Sequence, residues 1–183
     1  MTSVGHIQPH PARENLFTSK DVHLVLQEHH WFSSEPTPQH LSFCERAAML
    51  LGPHANDPAG LAELVGLIFH YDAGQILQTV EAHAVLARFA ARDVIRQAAL
   101  FLLDPTPFDS DRFKELVTLL KETHHLRGRD LFHPLRLALA GRPGEGELDR
   151  VILLLDEAAP VAFDVTVKST RNRILEFCAT LDS

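Results

Sequence analysis

A chain of 183 residues has room for one compact domain or two small helical ones, and an apolar content of 45% excludes general disorder. Its 17 Lys and Arg against 24 Asp and Glu, a net charge of −7, exclude a generic polyanion binder, because phosphate contacts need basic surface. No apolar run is long enough to span a membrane, Met1–Glu14 lacks the pattern of a signal peptide, and Cys44 and Cys178 offer no disulfide framework, so the expected compartment is the cytoplasm.

Disorder is expected only in the first dozen residues, where Pro9 and Pro11 lie among histidines and polar groups. Thr18 or Ser19 then caps a helix expected to reach Trp31, with Val22, Leu24, Val25 and Leu26 on its apolar side. Ser33–Pro38 reads as a break, and a second helix spans Gln39 to Leu51, stopped by Gly52-Pro53. Asp57-Pro58 pairs an N-cap with proline at the first helical position, and Leu61, Leu64, Val65 and Ile68 carry that helix to about His70.

Asp72 caps the next segment. Residues 73–103 lack proline and keep apolar groups at helical spacing, Phe89 among them, so they read as one long helix or two joined near Ala91. Pro105 and Pro107 end that stretch, and Asp109 or Ser110 starts a helix with Phe113, Leu116, Val117, Leu119 and Leu120 inward. Gly128, Pro134, Gly141, Pro143, Gly144 and Gly146 divide residues 124–156 into short helices and turns, with Pro134 expected to open one of them. A last helix is expected from Phe163 to Leu181. The fold class is therefore all-α, a helical bundle, divided into subdomains at residues 1–107 and 108–183.

Twelve histidines raise the question of a metal. His29-His30 and His124-His125 are adjacent pairs that diverge on a helix, and no His-Glu-x-x-His or Cys/His set is present, so no metal or cofactor is expected. Cys44 lies in an apolar helical stretch and reads as buried and inert, as does Cys178. Phe132 reads as core filling rather than a base-stacking ring.

Charge is uneven along the chain. Residues 121–183 hold nine Lys and Arg against ten Asp and Glu, whereas residues 1–120 hold eight against fourteen. The basic side chains of the last third cluster around one informative run: Arg-Gly-Arg-Asp-Leu-Phe-His-Pro-Leu-Arg-Leu-Ala-Leu-Ala-Gly at 127–141, Arg142–Gly146, then Glu-Leu-Asp-Arg-Val-Ile-Leu-Leu-Leu at 147–155. This run, with the later pair Arg173-Ile174, resembles the anticodon-binding domain of bacterial glutamyl-tRNA synthetases. The resemblance covers Phe108 to Phe177, while over 57–107 only the helical rhythm is similar.

The resemblance implies a non-catalytic RNA-binding module, with tRNA as the partner. Matched onto this chain, the family's anticodon contacts fall at His133, Arg136, Glu145, Gly146, Leu148 and Asp149, and Arg136 and Leu148 keep the family's chemical character. Arg127, Arg129, Lys168, Arg171 and Arg173 are the candidate phosphate contacts, and Arg142 opens the 142–147 loop that would form the RNA-binding surface with Arg136. The family's threonine before the glycine is Ala140 here, and Glu145-Gly146-Glu147 places carboxylates in the loop. The His-x-Gly-His signature and lysine-rich loop of a synthetase catalytic domain do not occur in the sequence, so no enzyme is expected. The second reading is a protein-interaction or regulatory module that kept the fold and lost RNA binding, which the acidic balance favours.

Overall fold

A computed structural model describes residues 14–183; the reading of the first dozen residues as a disordered tail without a leader mostly lies outside them. Among the described residues the fold is all-α, with ten α-helices and no strand. The first four are α1 (Ser19–Glu28), α2 (Pro38–Leu51), α3 (Pro58–Phe69) and α4 (Ala73–Leu77). They are followed by α5 (Val80–Leu86), α6 (Ala91–Leu102), α7 (Ser110–His124), α8 (Arg129–Ala140), α9 (Gly146–Ala158) and α10 (Thr170–Leu181). The starts are set by local chemistry: the side chains of Asp57, Asp72, Thr79, Asp109 and Ser169 each accept a backbone N–H of the helix they open. Thr18 donates its own N–H to the Asp21 carboxylate at 2.7 Å, so α1 begins where the sequence places it.

Helices α8 and α9 form the centre. Leu131, Leu135, Leu137, Leu139, Leu148, Val151, Ile152 and Leu154 are fully buried. α2 and α3 pack on α9, α6 packs on α8 and α10, and α1 closes over α2 and α3. Residues 103–109, where the sequence reading divides the chain, connect α6 to α7, and side chains from before and after them share one core.

Four expectations are corrected. The stretch 73–103 is three helices, because the Thr79 hydroxyl caps α5 and the chain turns again at Ala90, whose φ of 59° is left-handed. Pro134 lies inside α8, one and a half turns from its start, where it removes an N–H while its ring is buried. The last helix begins at Thr170, not Phe163. Phe163 is drawn instead into a ring cluster, edge-on to Phe69 at 4.9 Å and Phe43 at 5.2 Å. The Asp164 N–H donates to the Trp31 carbonyl at 2.8 Å, and His40 Nε2 lies 2.8 Å from the Ala162 carbonyl, which holds this segment out of the helix. Leu24 and Phe89, read as apolar-face residues, are both exposed.

The helices are locked together by Arg173, which is 0% exposed. Its Nη2 donates to the Ile68 carbonyl at 2.6 Å, Nη1 to Leu67 and Leu139 at 3.0 and 3.1 Å, and Nε to Lys168 at 3.1 Å. The guanidinium lies over the Tyr71 ring, 4.7 Å from its centroid, and the Tyr71 hydroxyl donates to the Ala138 carbonyl at 2.5 Å. Leu67, Ile68, Ala138 and Leu139 all belong to last turns, of α3 and α8, whose carbonyls have no partner along the helix. Burial pulls the Arg173 pKa down to about 10, so the side chain is still charged at neutral pH.

Replacing Arg173 with Met should strand these carbonyls and destabilise the fold by about 3–5 kcal/mol. Thermal unfolding should then shift down by roughly 10 °C. Arg173→Lys should recover little of this, since one ammonium cannot reach four carbonyls; a lysine variant as stable as the wild type would contradict the account.

Candidate nucleic-acid interface

The motif that marks the sequence folds into α8, a five-residue loop and α9, and the loop's shape is set from inside. Arg136, only 7% exposed, forks onto Asp149 with Nε to Oδ1 at 2.8 Å and Nη2 to Oδ2 at 2.9 Å. Its Nη1 donates to the Gly144 carbonyl at 2.8 Å, and its guanidinium covers the Phe132 ring at 4.7 Å. Gly141 ends α8 with φ 91°, a conformation that a side chain would strain. Gly144 then passes so close to Leu148 that a Cβ there would lie 2.6 Å from the leucine methyl. Leu148 is itself fully buried. Arg136, Leu148 and Asp149 therefore build the loop, and Glu145 and Gly146 are what it exposes.

Around the start of α8 lies a second group. Arg127 and Arg129 are exposed on either side of Gly128, whose φ of 59° and ψ of −139° suit only glycine. Arg129 reaches Glu145 at 3.7 Å, an exposed and weak pair. His133, one turn on, receives a hydrogen bond at Nδ1 from Arg88 Nη1 at 3.0 Å; arginine only donates, so the neutral imidazole carries its proton on Nε2. Burial, with Arg88 and Arg129 as neighbouring positive charges, holds the His133 pKa below the ordinary histidine value, and Glu145 opposes the shift. His133 is therefore neutral at pH 7.

The predicted set thus divides. The structure brings together Arg129, His133, Arg136, Glu145, Gly146, Leu148 and Asp149, with Arg127 beside them. Arg142 turns toward α3, where it pairs with Glu63 at 2.7 Å. Lys168 is held by Glu176 and the Tyr71 carbonyl, each at 3.0 Å. Arg171 is exposed at the start of α10, beside the 104–107 loop. Arg173 is a core residue, and a phosphate has no path to a guanidinium surrounded by carbonyls.

Sequence reading missed Arg88, because it sat mid-helix in the undivided 73–103 pattern. The Thr79 cap, visible in the sequence, was the available signal for a break there. Among the described residues no group of three His, Cys, Asp or Glu could hold a metal, and no helix is long and apolar enough to cross a membrane. Cys44 is buried, and burial with Glu45 pushes its thiol up to about 11.

The family model described as an anticodon binding domain matches residues 23–159. A glutamate–tRNA ligase from Exiguobacterium sibiricum is 26% identical over 151 residues, which are 82% of this chain and 30% of the ligase. The chain spans about 30% of the length of that curated relative. No solved structure gives a significant match.

Asp149→Asn should free Arg136 and the loop together, costing on the order of 3 kcal/mol. Hydrogen exchange should report it as faster opening of residues 141–146; unchanged exchange there would rule out the loop-building role. For His133 the folded pKa lies below the unfolded value of about 6.5, so the unfolded chain takes up the proton first as pH falls. Its contribution is complete above that pH and declines below it. Chemical denaturation at pH 7.5 and pH 5 (roughly one unit above and 1.5 below that value) should show the stability gap between wild type and His133→Gln narrowing on the acid side.

Proposed function

The chain belongs to the anticodon-binding domain family, and from that premise we propose that it is a non-catalytic RNA-binding module of the cytoplasm whose partner is tRNA. The observation that carries this reading is the surface of the family's matched segment: Arg127, Arg129, Glu145 and Gly146 face solvent around a loop that Arg136 and Asp149 hold in one shape. A loop fixed in advance loses little entropy when it meets a ligand. The exposed arginines supply phosphate contacts, and the Gly146 backbone, where an added Cβ would meet open space, leaves room for a nucleotide to approach. The Arg129–Glu145 pair is weak enough to exchange its carboxylate for a phosphate.

In this reading Arg136, Leu148, Asp149 and Arg173 act by positioning, and the contacts come from Arg127, Arg129, His133, Glu145 and Gly146, with Arg142 beside α3 and Arg171 at the start of α10 as further phosphate contacts. The reading assigns binding, and no chemical step, to the residues of this chain.

Fluorescence anisotropy with total tRNA should show saturable binding that weakens with salt. Replacing Arg127 and Arg129 with Ala should reduce the slope of log affinity against log salt by roughly one unit per arginine. No binding by the wild type at low salt would overturn the RNA reading and leave a protein-interaction module.

A further inference from the structure

The corner between α5 and α6 carries a feature that neither the motif nor the core accounts for. Phe89 is 85% exposed. Among the described residues every other Phe, Tyr and Trp ring is buried or half-buried, most of them in the core. The corner is well defined: Arg88 N–H donates to the Val85 carbonyl at 3.1 Å, Ala91 N–H to the Arg88 carbonyl at 3.3 Å, and Ala90 takes the left-handed conformation that turns the chain into α6. Arg88 ties this corner to α8 through His133. Phe89 follows Arg88 directly in this corner, so the exposed ring leaves the same turn as the arginine that reaches the start of α8.

We propose that Phe89 is a stacking platform for an unpaired RNA base, with Arg88 and Arg129 meeting the phosphates that flank it. This inference rests on the RNA-binding reading above. A solitary ring is a poor protein-docking patch, and the exposed residues around it in the chain are small or charged: Ala87, Arg92 and Asp93. It is well suited to a base, whose face stacks on an aromatic ring regardless of sequence. The charges agree. Arg88 and Arg129 both lie near His133, an imidazole with no negative charge, and of the two carboxylates close by, Glu145 is engaged with Arg129 while Asp130 opens the first turn of α8. A base on Phe89 would be held by stacking while its phosphate replaces Glu145 at Arg129.

The test compares wild type, Phe89→Ala and Phe89→Tyr, all as the full chain, binding an RNA stem-loop with 2-aminopurine in the loop and a blunt RNA duplex lacking a loop. The wild type should favour the stem-loop and quench its fluorescence. Phe89→Ala should weaken stem-loop binding about five- to a hundredfold and abolish the quench. Its duplex affinity and melting temperature should be unchanged, since the ring is largely exposed, and Phe89→Tyr should bind as the wild type does. If Phe89→Ala binds the stem-loop like the wild type, the platform is overturned while RNA binding stands. If the wild type binds neither RNA, the RNA reading and this inference fall together.

Discussion

Arg173 holds its positive charge in the core without a carboxylate in hydrogen-bonding contact, and what permits this is the convergence of two helix ends. The last turns of α3 and α8 each present carbonyls that no helical N–H can satisfy, and each ends with a partial negative charge. One guanidinium answers both deficits. A planar fork can address several acceptors at once, which a lysine cannot. The cost of desolvating the cation is offset by ending two helices inside the protein rather than at its surface. Tyr71 completes the device, its ring under the guanidinium and its hydroxyl on the next carbonyl of α8. Because α3 packs on α9, and α8 on α6 and α10, the orientation of the central helices depends on this contact.

Arg136 repeats the logic at smaller scale. It too is an arginine of the recognisable motif, and it too is directed inward, onto Asp149, Gly144 and Phe132. Asp156 does the same work with the opposite sign, accepting the Phe108 and Thr170 N–H groups at 2.8 Å each and so joining the entry to α7 and the start of α10 to the end of α9. Buried charges such as Arg136 and Arg173 are spent on terminating or joining helices and cannot meet a polyanion, which is left to the arginines that keep exposed surface.

Much of the architecture was legible in the sequence because its signals are local. Asp57, Asp72 and Asp109 cap the helices they were read to cap, since a short acceptor three residues before a free N–H needs nothing from the rest of the chain. Pro38 and Gly141 mark boundaries for the same reason. The break at 78–79 carried one cue, the Thr79 cap, against apolar residues that continue at helical spacing, and the break at 87–90 carried none, since the turn at Ala90 uses a conformation that its residue type does not announce. Phe163 escaped for a different reason. Its helical neighbourhood is outweighed by rings from α2 and α3 more than ninety residues away, as the separation from Phe69 shows. The arginines were the hardest case. A sequence shows a charge and its neighbours, but whether that charge is buried depends on where distant helices end, and so Arg173 read as surface while Arg88 was not read at all.

This division bears on how an acidic chain can serve a polyanion. The net charge of −7 is a sum over the whole molecule, with most of the excess in residues 1–120. At physiological ionic strength exposed charges more than about 8–10 Å away are largely screened, so what a phosphate meets is the local group. At the start of α8 that group is Arg88, Arg127 and Arg129 against the carboxylates of Asp130 and Glu145, the latter paired with Arg129. Arg88 comes from the acidic part of the sequence and joins the others only because α5 ends where it does and packs on α8. The turn at Ala87–Ala90, which breaks the helical pattern, is therefore what brings the cation of Arg88 to the start of α8, where the motif's own exposed arginines lie.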